Sequence, residues 1–380
     1  MGAVRKVESA ASTRVGKGAR YRADWRDPQG RKHAKTFATK KEALHHLAIV
    51  EGDKARGSYV DPSGARQRFG DYAKTYVDNQ QWRPSTRALV ASSMKNHVLP
   101  VLADRPIGVI RRSEIQAFVT GLTAKLAPTT VETVYTTVRC IFRSAVRDRI
   151  IIDSPCDHIK LPEIVKKEVQ CLTRDQVSSL IEHMHPRFRA LVSVGVGTGL
   201  RPGEIFGLRV PRIDFLRRRL SVEEQLQTLS GHAPCFTPLK TKASQRTVPV
   251  PPFVIEALSL HLAEFPSTDV VFTTPEGALI NRTRFHDRFW TPARIAAGLP
   301  ASITPHSMRH TYVSTLIGQG THPKAIQALV GHASIKTTMD EYGHLFPESN
   351  EQTTAALENV FGPSAAKLPT NNEGELRRNA

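Results

Sequence analysis

Two neighbouring segments, TPHSMRH (residues 304–310) and LVGHASIKTTMDEYGH (329–344), place several cationic and hydrogen-bonding side chains shortly before one tyrosine, Tyr342. A tyrosine that ends an apolar stripe is usually a core residue, and a single histidine usually has a structural role. Here His306 and Arg309 stand three residues apart, so a helix would place both on one face. The combination therefore predicts a site that handles phosphate.

The residues that begin and end helices divide these segments. Pro305 is expected to open a first helix with an apolar stripe formed by Met308, Tyr312 and Leu316. Thr321 is expected to cap a second helix that ends at Gly331, a residue suited to a left-handed stop. His332 then lies just past a helix end. A third helix from Ser334 would carry an apolar face formed by Ile335, Met339 and Tyr342.

The composition indicates a polyanionic partner. The chain has 380 residues, enough for two or three domains, and a formal net charge of +18. Residues 1–60 contain 14 Lys and Arg against 6 Asp and Glu, a net charge of +8. Nucleic acid fits better than a membrane surface, because the sequence shows neither an amphipathic helix with bulky apolar anchors nor a lipidation signal.

Other sequence features narrow the class of protein. No run of about 18 apolar residues predicts a membrane span, and the N-terminus lacks the apolar core of a signal peptide. The four cysteines show no CxxC pairing, which argues against a disulfide framework or a zinc site: Cys140, Cys156, Cys171 and Cys235. We therefore expect a protein of the reducing cytoplasm, with no membrane partner.

Residues 1–60 predict a small, basic β-β-α-type module. Alternation over residues 19–26 predicts a half-buried strand, and residues 31–37 predict a second strand after a short turn. Thr39 is expected to cap a helix that runs to about Ala55 and covers the sheet. Two helix residues are expected at the surface, His45 and His46. Two outward-facing residues are candidate DNA contacts, Arg20 and Arg22.

Residues 67–160 predict an all-helical domain, because apolar residues recur there at spacings of three and four, and residues 161–170 predict a linker. Basic residues are frequent in the helical part. A solvated charged face would explain them, but the excess of one sign favours contacts with a nucleic-acid backbone. The candidate DNA contacts are Arg83, Arg87, Lys95, Arg139 and Arg143.

Residues 171–362 predict an α+β domain, and residues 363–380 a disordered tail. In GTGLRPGE (197–204), the glycines permit a tight turn that places Arg201 at the entry to a helix, where its guanidinium can meet a phosphate. The segment LKTKASQRTVPV (239–250) predicts a basic hairpin. Two flexible amines are expected to flank its turn, Lys240 and Lys242.

These side chains suit the cleavage of a phosphodiester. Arg201 and Arg309 could bind its non-bridging oxygens and stabilise the charge of the transition state. Tyr342 is a suitable nucleophile with an ordinary pKa of about 10, and His306 is the candidate acceptor of its proton. Lys240 could protonate the departing 5′ oxygen, and His332 could donate a hydrogen bond to the phosphate. No cluster of Asp or Glu accompanies them, so metal-assisted hydrolysis is disfavoured.

The segments GTGLRPGE, LKTKASQRTVPV, TPHSMRH and LVGHASIKTTMDEYGH, in this order, resemble those of the tyrosine recombinases, in particular phage-type integrases. The resemblance covers essentially the whole chain. It implies a multidomain, mostly α fold with an arm-type DNA-binding module, a helical core-binding domain and an α+β catalytic domain. It also implies the catalytic set Arg201, Lys240, His306, Arg309, His332 and Tyr342, supported by Glu204. Because the hairpin register is open, Lys242 remains an alternative to Lys240.

The resemblance further implies a site-specific integrase that forms a 3′-phosphotyrosine intermediate and needs no metal, cofactor or ATP. Four protomers would exchange strands of double-stranded DNA through a Holliday junction, at core and arm attachment sites of a phage or mobile element. An excisionase and a host DNA-bending protein are candidate accessory partners. The expected location is the nucleoid of a bacterial host cell.

Two other functions compete with this one. A type IB topoisomerase uses a similar tyrosine, arginine and lysine, but His306 and the basic N-terminal module argue against it. A DNA-binding regulator would use residues 321–342 as a helix-turn-helix. That function would leave Arg201, Lys240 and Arg309 without roles.

Overall fold

The computed structural model describes residues 2–7, 20–28, 30–57, 59–61, 63–165, 168–229, 231–346, 354, 357, 358, 360 and 361. The chain divides into two compact units, Met1–Lys166 and Lys167–Ala380. Helices dominate both units and the sheets are small, so the expected multidomain, mostly α fold is confirmed. No helix in the described part is both long and apolar enough to cross a membrane. The predicted disordered tail lies outside the described residues.

The first unit begins with a three-stranded antiparallel sheet in the order β1-β2-β3, covered by one helix. The elements are β1 Ala3–Val7, β2 Arg20–Arg26, β3 Lys32–Phe37 and α1 Lys40–Ala55. Ala23 and Trp25 on β2 are buried, as the alternating pattern predicts. Thr39 caps α1 through a reciprocal bond with Glu42. The two predicted strands and the helix are therefore confirmed.

Two features of this module differ from prediction. The sequence did not predict β1, because Val4 is its only half-buried residue and the strand is held by its backbone pairing with β2. His46 was expected at the surface, but it is half-buried and packs edge-on against Trp25, with ring centroids 5.1 Å apart. Leu44 is exposed, because the buried face of α1 follows Ala43, Leu47 and Val50.

The rest of the first unit is helical. Its helices are α2 Phe69–Asp78, α3 Pro84–Ser93, α4 Leu99–Leu102, α5 Arg112–Thr123 and α6 Pro128–Arg147. A π-helical turn, Met94–Val98, joins α3 to α4. The core includes Phe69 and Phe142, whose rings lie 5.1 Å apart, and the apolar positions of α5 and α6 that their spacing predicted.

The second unit packs helices around α8. The elements before the sheet are α7 Arg174–His183, α8 Pro186–Thr198 and α9 Pro202–Phe206. The strands are β4 Ile213–Asp214, β5 Arg219–Val222, β6 Glu224–Gln227, β7 Cys235–Pro238 and β8 Arg246–Pro249. The later helices are α10 Pro252–Glu264, α11 Arg282–Phe285, α12 Thr291–Ala296, α13 Ser307–Gly318, α14 Pro323–Val330 and α15 Ile335–Tyr342.

The predicted hairpin at 239–250 is wrong. β7 pairs antiparallel with β6, and β8 pairs antiparallel with β5. β7 and β8 therefore follow one another along the same arm, which runs antiparallel to β5 and β6, and they do not pair with each other. The segment between β7 and β8 leaves this ladder and contains a short 3₁₀ turn, Lys242–Ser244. Lys240 and Lys242 therefore lie in an insertion within a strand arm and do not flank the turn of a hairpin.

The helices near the C-terminus begin later than predicted. Pro305 does not open α13, which begins at Ser307 with His306 as its N-cap, and His322, not Thr321, is the N-cap of α14. Gly331 ends α14 in the left-handed conformation, with φ 68° and ψ 45°, as predicted. On α15, the expected apolar face is wrong for Ile335 and Met339, which are exposed, because Thr338 and Tyr342 occupy the buried side.

Candidate active site

Glu204 forms the base of the site. It lies on α9 and its side chain is 1% exposed. Arg201 Nη1 donates to Glu204 Oε1 at 2.9 Å, and Arg246 Nη2 donates to Glu204 Oε2 at 3.0 Å. Burial alone would raise the pKa of Glu204, but the two arginines outweigh burial and hold that pKa below its ordinary value. Glu204 is therefore a carboxylate that fixes two guanidinium groups.

Arg246 connects this base to α14. Its Nε donates to the carbonyl of Leu329 at 2.7 Å, near the C-terminal end of the helix. Arg201 Nη2 reaches the next turn of chain and donates to the carbonyl of Gly331 at 3.3 Å. Two arginines thus join the residues after α8 to those that end α14, across more than 80 residues of sequence.

Arg309, on α13, is only 1% exposed. Its Nη1 donates to the carbonyl of Gly199 at 2.8 Å, and the positive φ of 64° at Gly199 forms the turn that presents this oxygen. Its Nη2 is buried and has no hydrogen-bond partner among the described residues. Burial and then Arg201 lower the pKa of Arg309 to about 10, so the group remains a cation at neutral pH.

His332 lies in the short connection between α14 and α15 and is buried. Its Nδ1 lies 2.9 Å from the hydroxyl of Thr338, which fixes the ring and leaves Nε2 as the nitrogen directed elsewhere. Its backbone N–H and carbonyl both bond to Gln327. Burial and then Arg309 lower the pKa of His332 to about 4, so the ring is neutral at pH 7.

Tyr342 ends α15 and is fully buried. Its hydroxyl lies 2.7 Å from Nδ1 of His310, which follows Arg309 on α13. Sequence analysis expected His306 to receive the tyrosine proton, but no bond between His306 and this hydroxyl occurs among the described residues. His306 instead packs edge-on against His310, with centroids 4.7 Å apart.

The protonation states follow from burial and positive charge. Burial, His310 and Arg309 lower the pKa of His306 to about 4. Burial and Arg309 lower the pKa of His310 to about 4. Burial and the carboxylate of Glu341 raise the pKa of Tyr342 above its ordinary value. At neutral pH the site therefore holds three neutral imidazoles, those of His306, His310 and His332, and a protonated phenol.

The side chains of His306, His310 and Glu341 have spacing that a metal ion could use, with ligand atoms within 4.8 Å of one another. However, Arg309 faces the same histidines and lowers the pKa of each. A field that opposes a proton also opposes a metal cation. The arrangement suits an anion better, and the expected independence from metal stays a prediction.

Lys240 and Lys242 are both exposed in the insertion between β7 and β8. This insertion reaches the site, because a Cβ added to Gly331 would lie 3.1 Å from the carbonyl oxygen of Ala243. Arg309 interacts electrostatically with a group of site residues, and the lysine segment borders this group at Gly331: Arg201, Glu204, His306, His332 and Tyr342. The structure does not select between the two lysines.

The other predicted DNA contacts belong to the first unit, and nearly all are exposed: Arg20, Arg22, Arg83, Arg87, Lys95 and Arg143. Arg139 is half-buried on α6. Arg22 bonds Asp24, and Arg87 donates to the carbonyl of Gln80 at 2.6 Å. Their roles in binding DNA stay predictions.

Sequence reasoning missed three residues of the site. Arg246 lies in the basic segment 239–250, but nothing in the pattern indicated that it would be buried against Glu204. His310 follows Arg309 directly, and that adjacency was an available signal. Thr338 could not have been found, because only the fold places its hydroxyl on His332.

Comparisons with known proteins cover most of the chain. Residues 170–349 match the model of the phage integrase family, and residues 69–162 match that of the phage integrase central domain. The chain is 26% identical over 373 residues to a XerC-like tyrosine recombinase of Caldanaerobacter subterraneus subsp. tengcongensis, covering 88% of this chain and 94% of that protein. It is 29% identical over 263 residues to the ICEBs1 integrase of Bacillus subtilis, covering 64% and 67%.

Solved structures share the fold. The Tn1549 transposon integrase in complex with transposon right end DNA matches with a TM-score of 0.68 at 20% identity, covering 78% of this chain and 99% of that one. A lambda integrase dimer bound to a core site matches with a TM-score of 0.59 at 18% identity, covering 86% and 94%. The fold of this chain is therefore a known one.

Proposed function

Because this chain belongs to the phage integrase family of tyrosine recombinases, we propose that it integrates and excises a phage or other mobile element through a 3′-phosphotyrosine intermediate. It acts on double-stranded DNA at core and arm attachment sites. It does so in the cytoplasm of a bacterial host cell, at the nucleoid. The reaction needs no metal, cofactor or ATP, since the energy of the cleaved bond is kept in the phosphotyrosine.

One observation carries this proposal. Arg309 is a guanidinium that is 1% exposed, yet one of its nitrogens has no hydrogen-bond partner in the described part of the chain. Burying a cation with an unmatched donor costs several kcal/mol, on the order of the penalty for an unpaired buried charge. A phosphate oxygen would supply the missing acceptor. Arg201, His332 and Tyr342 lie close enough to Arg309 to interact with it electrostatically, so that phosphate would meet a nucleophile.

The roles follow from these contacts. Arg201 and Arg309 bind the non-bridging oxygens, and Glu204 holds Arg201 in place. His332 donates a hydrogen bond through Nε2, since Thr338 occupies its other nitrogen. Tyr342 is the nucleophile, and Lys240 is the acid that protonates the 5′ oxygen. Lys242 is the alternative acid.

The decisive experiment uses a suicide substrate, a duplex of the element's own end nicked near the crossover, so that the cleaved strand cannot rejoin. In the presence of EDTA, the wild-type protein should form a covalent adduct with DNA. Tyr342→Phe should bind the same duplex and form none, because only the attacking oxygen is lost. A half-buried tyrosine of the first unit offers the matched control, since Tyr21→Phe removes a hydroxyl far from α15 in sequence and should not change adduct formation.

The same assay separates the alternatives. A DNA-binding regulator would form no adduct at all. A type IB topoisomerase would form one with little preference for the element's ends and would relax a supercoiled plasmid that lacks them. Adduct formation by Tyr342→Phe would contradict the assigned nucleophile. A plasmid with the element's flanking ends, tested for recombination with a host locus, then identifies the attachment sites.

We also propose that residues 1–60 bind arm-type sites, residues 67–160 bind core sites and residues 171–362 cut the DNA, with 161–170 as linker. The exposed Arg20 and Arg22 on a basic sheet support the first assignment. Deleting residues 1–60 should abolish binding to arm sequences and leave core binding intact. Unchanged arm binding would contradict it. Charge reversal at Arg83, Arg87, Lys95, Arg139 or Arg143 should weaken core binding and reduce its dependence on salt.

Strand exchange requires more than one protomer, and we propose a homotetramer that works through a Holliday junction. Three apolar side chains near the C-terminus are exposed and could dock on a neighbouring protomer: Leu357, Val360 and Phe361. An excisionase and a host DNA-bending protein are the proposed accessory partners. Crosslinking on a synthetic four-way junction should give a four-protomer species. Substituting Phe361 by Asp should reduce that species and leave single-site binding unchanged.

A further inference from the structure

The hydroxyl of Tyr342 meets a histidine outside the catalytic set that the sequence predicted. His310 Nδ1 lies 2.7 Å from Tyr342 Oη, and the two ring centroids are 5.7 Å apart. We propose that His310 is the general base that takes the phenolic proton as Tyr342 attacks phosphorus, with Glu341 stabilising the imidazolium that forms. This inference rests on the proposed function and adds a catalytic residue to it.

Geometry selects His310 over its neighbour. A general base must lie within about 2.6 to 3.2 Å of the atom that loses the proton, and His310 meets that condition. His306 contacts the ring of His310 edge-on, at 4.7 Å between centroids and an angle of 84°. This contact restrains the orientation of the His310 ring. His306 is therefore placed to position the base, and not to act as the base itself.

The charged and titratable groups around His310 come from two helices. On its own helix, α13, these are Arg309 and the neutral His306. From α15, Tyr342 and Glu341 face it, and Glu341 Oε1 lies 3.6 Å from the His310 Nδ1. Burial raises the pKa of Glu341, and the nearby Arg309 opposes that rise. A carboxylate at this distance favours the protonated form of His310 once a proton arrives.

Without DNA, the proton stays on the tyrosine. Burial and Arg309 lower the pKa of His310 to about 4, so the imidazole is neutral at pH 7 and its Nδ1 can accept a hydrogen bond. Burial and Glu341 raise the pKa of Tyr342, which opposes ionisation. A phosphodiester bound between Arg201 and Arg309 would offset the positive charge that acts on His310 and make it more basic. The nucleophile would therefore be activated only when its substrate is present.

The proposed step is balanced. The Tyr342 O–H bond breaks as the Oη–P bond forms, and the proton passes to His310 Nδ1. The bond from phosphorus to the 5′ oxygen breaks, and that oxygen takes a proton from a separate acid, which is Lys240 in the proposed mechanism. In rejoining, the 5′ hydroxyl attacks phosphorus, Lys240 takes its proton, and Tyr342 leaves with the proton held by His310. Two groups handle two different protons.

This separation allows a sharp test with two suicide substrates. One has the ordinary 5′ oxygen at the scissile phosphate, and the other has a bridging 5′ sulfur, which leaves without protonation. His310→Ala should slow adduct formation about 100-fold on both substrates, the scale of general-base catalysis. Lys240→Ala should be slow only on the oxygen substrate. His183→Ala, at an exposed histidine that ends α7, is the matched control and should behave as wild type.

The pH profile distinguishes a lost base from a damaged structure. Wild-type cleavage should fall as acid protonates His310 and level off above neutral pH. With His310→Ala the tyrosine must ionise unaided, so the rate should continue to rise in proportion to hydroxide. His310→Gln preserves volume and polarity and should give the same profile, so a folding failure of the alanine variant would not hide the result. Glu341→Gln should produce a smaller loss than His310→Ala.

Three results would overturn the inference. The first is a His310→Gln variant that cleaves at the wild-type rate. The second is a His310 variant that cleaves slowly but keeps the wild-type pH profile. The third is a His310 variant that cleaves slowly on the oxygen substrate and at the wild-type rate on the sulfur substrate. None of them affects the proposed function, which stands as long as the wild-type protein forms the adduct and Tyr342→Phe does not. Failure of the wild-type protein to form an adduct would instead overturn the function itself.

Discussion

The two units each contain a cluster of histidine and carboxylate beside an arginine, and the clusters differ in whether their charges are matched. In the first unit, Asp27 Oδ2 accepts from Arg31 Nε at 2.8 Å and lies 3.1 Å from His33 Nε2. Arg31 Nη2 also pairs with Asp61 at 3.0 Å. Each acidic group there has a basic partner. This cluster joins the end of β2, the start of β3 and the residues after α1.

In the second unit the balance is different. Glu204 pairs with Arg201 and Arg246, but Arg309 has one carbonyl partner and a buried nitrogen without a hydrogen-bond partner in the described residues. A cluster whose charged and hydrogen-bonding groups all have partners stabilises the fold, whereas a cluster with an unpartnered group can use that group to bind a substrate. Both contain the residue types that catalytic sites use, so residue type alone does not identify a site. The buried nitrogen of Arg309 that lacks an acceptor within the described ranges is what distinguishes the site in the second unit.

The largest effect should come from removing that donor. Arg309→Met keeps the length and volume of the side chain and removes its charge, so cleavage of the suicide substrate should slow about 1,000-fold, as for the loss of a transition-state donor. Stability should be unchanged or higher, because a buried, partly unmatched cation costs free energy. Denaturation followed by the fluorescence of the buried Trp290 measures stability, and single-turnover cleavage measures activity.

Arg31→Met is the matched control in the other cluster. It leaves Asp27 and Asp61 without their arginine, so the first unit should lose stability. Cleavage by bound protein should be unaffected, because this cluster lies outside the catalytic unit. If Arg309→Met destabilised the protein as Arg31→Met does, both arginines would be structural and the comparison between the clusters would fail.

A smaller effect on cleavage but a larger one on stability should follow from Glu204→Gln. The change leaves Arg246, whose side chain is 6% exposed, beside Arg201 with no carboxylate between them. Breaking a buried pair by removing one partner costs about 3 to 5 kcal/mol. The free energy of unfolding measured at Trp290 should fall by about 3 kcal/mol. A change within the error of the measurement would show that the charges at the base of the site are not coupled.

The backbone at the end of α14 offers a finer comparison between two glycines. Gly320 and Gly331 both have positive φ, 73° and 68°, so alanine at either should cost about 1 kcal/mol. No atom of the residues that the structure describes lies within 4 Å of a Cβ at Gly320, but at Gly331 the Cβ would lie 3.1 Å from Ala243 O and from Arg246. Gly331→Ala should therefore also displace His332 and slow cleavage on the order of tenfold. Equal cleavage by the two variants would show that the site tolerates this movement.

Much of this organisation could be predicted, because local chemistry determines it. The cap at Thr39, the left-handed stop at Gly331 and the helix from Ser334 depend on residues adjacent in sequence, and the structure contains all three. Long-range contacts have no such signal. The insertion that carries Lys240 depends on which strands pair, and the sequence between the strands does not determine that pairing.

The least predictable features were polar contacts across elements. In the sequence, His310 is an ordinary residue of a helix. Only the fold places Tyr342, 32 positions later in the chain, against it. Similarly, Ile335 and Met339 have the spacing of a buried face but are exposed, since Thr338 turns inward to meet His332. At this site a hydrogen bond outweighs hydrophobic periodicity. Departures from the apolar pattern are therefore worth examining as signals of function.

Acid should affect the stability of the two units at different pH values. Burial lowers the pKa values of His306, His310 and His332 to about 4, from an unfolded value of about 6.5. Between these values the unfolded chain binds more protons than the native chain, so each of the three histidines should cost the second unit about 1.4 kcal/mol per pH unit as pH falls.

The acidic cluster of the first unit should respond at lower pH. Burial alone would raise the pKa of Asp27, but the bonds from His33 and Arg31 lower it to about 2. Its contribution to stability is therefore complete above the ordinary pKa of an aspartate and is lost only as pH falls toward 2. Variants that keep only Trp25 or only Trp290 report the two units separately. Acidification from neutral pH should loosen Trp290 first, and the opposite order would mean that burial of the histidines does not control the acid stability of the site.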